Sequence, residues 1–517
     1  GYNLTDYQLV LTFDEAWWSS GYVQRTLGIP ETNRLARDEG LPLWLWQARW
    51  FKPLQKEEFS LSMLPSGEVV AFSHSLPEDA PGAQLSQDEA RILAQRYLIE
   101  DRGRSLSDWE PVTASTEDRP GGRIDHYFEW KRRGWDVGES ELRLAVDVQG
   151  DRVDGYGYWL KVPEAFERDF RKQQNWAGFI AGISFTLGFY GLGLMALLAY
   201  FSAQRKGILP WHAGLGPGLV VAVVGLLAAL NWLPLSKAWY DTTQEYATFW
   251  AGRVMDILLS AGLTVVGIAI LWTGGRQLAK SIWARQDKLL PRSGNRWEQL
   301  AWSTWRGLML GCLGAGYVVA FYLVATRLFG GWVPLDTPYT NLYATPLPFL
   351  AALSEGVSPA VIEEFLFRLI GVGLFLKLTR NRFLALLVPG AIWAFAHLGY
   401  VRDPFYLRGV ELTIDAVLLF GLFFLRFDLT TTMVAHFAFN AGGTALPLLR
   451  SSHWYFVASG VLVIGAMLAP AMPGFVLAIR RRLRRRAMAA PLVTISPATT
   501  EDVAALEALP LPGIPWN

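Results

Sequence analysis

The chain holds a single cysteine, Cys312, among 517 residues, so it can form no internal disulfide. Any part of it that faces an oxidising compartment must be held together by its own core. Charge is also scarce: 18% of residues are charged and the formal net charge is +1. The basic residues cluster at the edges of apolar runs and form no long surface stripe, which excludes nucleic acid as a partner. No GxSxG, Gly-rich phosphate loop or CxxC occurs, so serine-hydrolase, nucleotide-driven and thiol-redox chemistries find no support. The first residue is Gly1 and no signal-like apolar stretch opens the sequence, so an upstream segment is expected.

Apolar residues are what the chain has in quantity, 51% of the total with 14% aromatic. Between about residues 175 and 479 they fall in runs of roughly 20, the length that crosses a bilayer at 1.5 Å per residue. The expected fold is a polytopic all-α membrane bundle of about eight or nine spans, preceded by a soluble α+β ectodomain. Candidate spans are 175–201, 215–234, 249–273, 305–328, 359–378, 383–400, 409–425, 430–449 and 455–479. Lys and Arg alternate between loops. Arg205 and Lys206 follow the first span; Arg276, Lys280, Arg285, Lys288, Arg292 and Arg296 follow the third. Lys377, Arg380 and Arg382 follow the fifth, and Arg480–Arg482 with Arg484–Arg486 follow the last. Such loops read as cytoplasmic, which leaves the N-terminal domain outside a bacterial cell membrane and the tail inside. The Arg run is a topology anchor against anionic membrane lipid, and the Ala-, Pro- and Thr-rich tail from about 487 reads as disordered. The division expected is 1–172 ectodomain, 173–335 accessory spans, 336–479 catalytic core and 480–517 tail.

The soluble part carries a duplication. Glu58, Phe59, Leu61, Met63, Gly67 and Val70 recur as Glu141, Leu142, Leu144, Val146, Gly150 and Val153 at a constant spacing of 83 residues. Each copy reads as two alternating strands around a glycine turn, preceded by an aromatic strand at 46–50 or 126–130. Between the copies Ser86 and Glu89 form a capping-box signature for a helix along Ala90, Leu93, Ala94 and Leu98. The pattern is similar to the PepSY-like modules of bacterial envelope proteins, which implies binding or restraint of a peptidase. A structural ectodomain with no ligand of its own is the plain alternative.

Polar groups inside the apolar runs carry the functional signal. Glu363-Glu364 and Arg368 fall within six residues, at a cost of at least ~2.5 kcal/mol per charge at bilayer depth. Glu364 and Arg368, at i and i+4, account for each other as an ion pair, which leaves Glu363 available for proton transfer. Trp393 and His397, and His436 and Asn440, repeat the i to i+4 spacing in two later spans. Taken singly, either histidine reads as a satisfied packing residue. Together these groups demand a wet site. Arg253 with Asp256 reads as an interfacial ion pair, and Glu411 with Asp415 as a cavity rim. Pro359 suits a first helical turn, which would set Glu363 about one turn below an outer helix end. His436 and Asn440 would reach that level only on a deep or tilted helix.

In this order, Glu363-Glu364-x-x-x-Arg368, Trp393-x-x-x-His397 and His436-x-x-x-Asn440 resemble the motifs of the CPBP intramembrane proteases, a family that includes CAAX prenyl endopeptidases and relatives implicated in bacteriocin processing. The resemblance covers about 340–450, with Trp393 standing where Phe is commoner. It implies an endopeptidase acting on a membrane-associated peptide or protein. Glu363 and His397 would hold and deprotonate water, His436 and Asn440 would stabilise the oxyanion, and Glu364, Arg368 and Trp393 would support them. Glu363, His397 and His436 are also an acceptable zinc set, so zinc stays open beside a metal-free, glutamate-activated water, although no HExxH is present. Two rival readings are a proton-coupled transporter and a non-catalytic scaffold or immunity protein that binds through its ectodomain.

Overall fold

A computed structural model describes residues 3–207, 210–283, 288–289, 295–334, 340–489 and 499–508. Gly1, Arg285, Arg292 and most of the expected disordered tail lie outside these residues.

The N-terminal part is an antiparallel sheet covered by helices. Its strands are β1 (Gln8–Glu15), β2 (Trp44–Phe51), β3 (Glu58–Met63), β4 (Val69–Ser75), β5 (Trp109–Asp118), β6 (Ile124–Arg132), β7 (Glu141–Gln149) and β8 (Arg152–Lys161). They lie in the order β1-β2-β3-β4-β8-β7-β6-β5. The duplication is visible in the strand ends. Glu58 and Glu141 open β3 and β7, and Val69 and Arg152 open β4 and β8. Gly67 (φ 90°) and Gly150 (φ 63°) supply the left-handed turn residue in each copy. The two copies are not separate modules, because β4 and β8 pair directly, with Phe72 opposite Tyr156. Helices α1 (Trp17–Leu27), α2 (Ile29–Asp38) and α3 (Gln87–Arg96) lay Tyr22, Val23, Leu35, Ala90 and Ala94 on Leu142, Leu144 and Val146, forming one core. The capping box holds: Ser86 accepts from the Glu89 amide, and Glu89 accepts from the Ser86 amide at 2.9 Å.

The rest is helical. Among the described residues, five helices are long and apolar enough to cross a bilayer: α4 (Glu164–Arg205), α5 (His212–Trp239), α6 (Tyr246–Ile282), α7 (Arg296–Phe329) and α12 (Trp454–Arg484). Together they make this a multi-pass membrane protein. Between α7 and α12 lie α8 (348–379), α9 (Arg382–Phe395), α10 (407–426) and α11 (Leu429–Leu449). Charge explains why α8 is not as apolar as the others, since it carries Glu355, Glu363, Glu364, Arg368 and Lys377.

Small residues set the packing around α11. A Cβ on Gly307 would meet Val434 Cβ at 2.6 Å, and one on Gly356 would meet Phe437 Cδ2 at 2.5 Å. Helix α11 is therefore held close to both α7 and α8, as expected where van der Waals packing drives association in lipid. Asp428, fully buried, caps it by accepting from the Thr431 amide at 2.8 Å and from Ser303 of α7 at 2.9 Å.

The sheet domain docks on the loops at one end of the bundle. Asn341 pairs with the edge of β1 like an extra strand residue, accepting from Phe13 N at 2.9 Å and donating to Phe13 O at 3.2 Å. Val10 and Phe51 pack on Tyr240 and Phe249. Arg25 of α1 forms an ion pair with Asp403, whose backbone also bridges to Trp332 in both directions, at 2.8 and 3.0 Å.

Pro359 does not open a helix; α8 begins at Pro348 and Pro359 lies inside it, so Glu363 sits about 22 Å along the rod rather than one turn in. This removes the depth difficulty, because α11 delivers His436 to that level from Leu429. Helix α9 ends at Phe395, so His397 lies in the turn beyond it instead of on a helical face. Arg253 stacks over Phe249 at 5.4 Å and does not pair with Asp256. Glu411 and Asp415 are buried, at 0% and 6% exposure, so neither lines a rim.

Candidate active site

Helix α8 places two adjacent carboxylates about a third of a turn apart, so they meet different partners. From Glu364 to Val372 the helix widens to i→i+5 spacing, a form often found at functional sites. Glu363 Oε2 accepts from Trp393 Nε1 of α9 at 2.5 Å. Glu364 Oε1 lies 2.9 Å from His436 Nδ1 and 3.3 Å from Arg368 Nη1. Glu364 is fully buried and Arg368 is 2% exposed. The Arg368 guanidinium is also sandwiched between aromatic faces, 4.3 Å from the Trp393 ring and 5.1 Å from that of Phe420. Sequence reading found its ion pair but not this box, because Phe420 belongs to no motif.

The tautomers of both histidines follow from their partners. Helix α9 ends two residues before His397, leaving the Trp393 carbonyl without a helical donor. His397 Nδ1 lies 2.7 Å from that carbonyl, which only accepts, so Nδ1 carries the proton. His436 Nδ1 faces a carboxylate oxygen by the same logic. Both rings therefore turn Nε2 toward the remaining carboxylate, and each Nε2 lies 3.9 Å from Glu363 Oε2. Carboxylate and imidazoles converge on one point. The His397 side chain keeps 24% exposure, enough to admit water.

Asn440 is one turn beyond His436 on α11. Its Nδ2 donates to the carbonyl of Glu355 at 3.2 Å. Glu355, which sequence reading passed over, thus contributes through its backbone.

For zinc, the donor set is chemically apt, but the spacing is wide. Tetrahedral ligands at 2.0–2.1 Å from zinc stand about 3.3 Å apart, against 3.9 Å for each histidine here. Among the described residues no group of three His, Cys, Asp or Glu is arranged to hold a metal. A water bridging Glu363 Oε2 and either Nε2 at hydrogen-bond distance fits that spacing.

A second buried network flanks the first. Arg408 Nη1 donates to Glu411 Oε2 at 2.5 Å, and Tyr317 donates to the Glu411 carbonyl at 2.8 Å. It ties α10 to α7 beside the turn that bears His397.

A membrane bundle that buries a carboxylate and two imidazoles converging on one point has the groups an intramembrane protease uses. Residues 345–442 match the family described as Type II CAAX prenyl endopeptidase Rce1-like, and that stretch contains Glu363, Glu364, Arg368, Trp393, His397, His436 and Asn440. The chain thus carries a peptidase domain of the CPBP type. Over 440 residues it is 21% identical to the sporulation-killing factor biosynthesis protein SkfC of Bacillus subtilis (strain 168), with 84% of each chain covered. No solved structure matches it.

Proposed function

We propose that the protein hydrolyses a peptide bond of a membrane-associated peptide or protein, using a water held between Glu363 Oε2 and His397 Nε2. The observation that carries this is the convergence of both Nε2 atoms on Glu363 Oε2 at 3.9 Å. Glu363 takes a proton from the water as its oxygen attacks the carbonyl carbon. The oxyanion that forms is met by an Asn440 N–H and by His436 in its charged form, with one proton on Nδ1 held by Glu364 and a second on Nε2. The carbon–nitrogen bond then breaks, Glu363 returns its proton to the leaving amine, and an acid and an amine result. One oxyanion donor is worth about 2.7–4 kcal/mol in other enzymes. Glu364 orients His436, Trp393 orients Glu363, and Arg368 offsets the charge of Glu364. No step requires zinc.

The division into an ectodomain to residue 172, accessory helices to 335, a catalytic core to 479 and a tail is part of the same proposal, as are a bacterial cell membrane, contact with its lipid, an outward N-terminal domain and an inward tail. The lysine- and arginine-rich loops support the orientation. The name of the Bacillus subtilis relative supports a role in maturing a secreted or membrane-held factor, with the ectodomain presenting or restraining the substrate.

The test is incubation of the purified protein in lipid with a membrane-anchored peptide library. Cleavage by the wild type and none by Glu363→Ala supports the proposal. No cleavage of any peptide would favour the transporter or scaffold.

A further inference from the structure

We propose that Pro359 is a positioning residue for Asn440, acting through the carbonyl of Glu355. This rests on the hydrolase reading of the site.

In an α-helix the N–H of each residue bonds to the carbonyl four positions earlier, and proline has no N–H to give. Pro359 lies inside α8, so the carbonyl it leaves without that donor is the one of Glu355. Asn440 Nδ2 donates to this same oxygen at 3.2 Å, from another helix. An unmet carbonyl is costly in a lipid-embedded bundle, so proline and asparagine form one device. The helices approach closely at this level, because a Cβ on Gly356, next to Glu355, would lie 2.5 Å from Phe437 and 2.8 Å from Ala441.

Two consequences follow for the side chain. A carbonyl only accepts, so the nitrogen of the Asn440 amide must face it, and the orientation of the amide is fixed. The Nδ2 group has two N–H bonds. One is spent on Glu355, and the other is held at a defined angle one turn from His436. A freely rotating amide would present oxygen to the substrate as readily as nitrogen, and an oxygen repels a developing oxyanion. Pro359 thus selects the donor face without touching substrate.

The clamp and the chemistry can be tested separately in the full-length protein. Thermal unfolding in detergent is measured for Pro359→Ala, Asn440→Ala and the double variant. With Pro359 present, Asn440→Ala should lower Tm by about 2–4 °C. In the Pro359→Ala background, whose restored N–H competes for the carbonyl, the same change should lower it by less than half as much. Independent, additive shifts would overturn the proposal. On a peptide cleaved by the wild type, Pro359→Ala should lower kcat about tenfold with KM unchanged, and adding Asn440→Asp should cost little more. A wild-type kcat for Pro359→Ala would equally overturn it. If the wild type cleaves nothing, the hydrolase reading fails, and the unfolding cycle alone decides whether proline and asparagine are coupled.

Discussion

Trp393 Nε1 donates to Glu363 Oε2 across 2.5 Å, so the carboxylate assigned to water activation is aimed by a residue of the neighbouring helix. Trp393→Phe keeps a ring beneath Arg368 and removes only the donor. A hydrogen bond to a charged group contributes about 1.5–3 kcal/mol. The expected outcome in steady-state cleavage is a fall in kcat of about tenfold or more, with KM little changed. Trp393→Ala should also lower Tm, since it strips one face from the buried guanidinium.

The two adjacent glutamates should separate in their effects. Glu364 faces Arg368 and His436 where neither it nor the arginine meets solvent. Glu364→Gln leaves a buried cation uncompensated, at a cost of about 3–5 kcal/mol. Glu363→Gln keeps Glu364 as the counter-ion of Arg368 and His436 and should unfold near the wild-type temperature while losing activity. Thermal unfolding of both variants beside the cleavage assay checks this; similar Tm losses for the two would contradict it.

The docking contacts predict a mechanical link between the sheet domain and the site. Arg25 holds Asp403, six residues after His397, and Asn341 holds the β1 edge seven residues before α8 begins. A solvent-exposed ion pair contributes only about 0.2–1 kcal/mol, so neither contact dominates alone. In the double variant Arg25→Ala and Asn341→Ala, hydrogen–deuterium exchange should quicken across 398–406 and 340–347. Exchange within 360–372 should stay unchanged.

A pH effect is expected in the sheet domain. His74 stands between Glu57 Oε1 at 3.0 Å and Asp154 Oδ1 at 3.1 Å, and it stacks on Phe59. The hydrogen bond from His74 holds the Glu57 carboxyl below its ordinary value of 4.5, against the opposing effect of burial. The Tyr7 phenol, which donates to Glu57, is pushed up to about 12 by burial and by that carboxylate. A carboxyl with a lowered folded-state value adds stability that is present above 4.5 and is lost as the pH falls through and below it. Glu57→Gln should therefore speed exchange along β3 and β4 at pH 7, with the difference from wild type closing only as the pH falls below 4.5. A difference that persists at low pH would contradict this cause.

Much of the site was legible because membrane burial makes polar residues conspicuous. Glu363, Glu364, Arg368, Trp393, His397, His436 and Asn440 stand out from apolar neighbours, and spacing on single helices is local information. The duplicated strands were legible for a similar reason, since β3 and β7 alternate with the same phase around a glycine turn. What sequence could not supply is non-local. A proline at the start of a helix and a proline whose lost hydrogen bond is met by another helix look alike until Asn440 is found against Glu355. The aromatic box around Arg368 and the pairing of β4 with β8 depend likewise on contacts between segments far apart in the chain. The end of α9 at Phe395 is hidden in the sequence because the apolar run continues beyond it, while the chain turns to bring the His397 ring back to the Trp393 carbonyl.

In the proposed reaction Glu363 activates a water without help from a metal. Single-turnover cleavage of one membrane-anchored peptide by wild type and Glu363→Gln, each with and without a strong chelator, tests it most directly. The expected result is a rate at least about 100-fold lower for the variant, the lower range for a missing general base, and no effect of chelator on the wild type. Equal rates for wild type and variant, or loss of wild-type cleavage in chelator that returns on adding zinc, would contradict it.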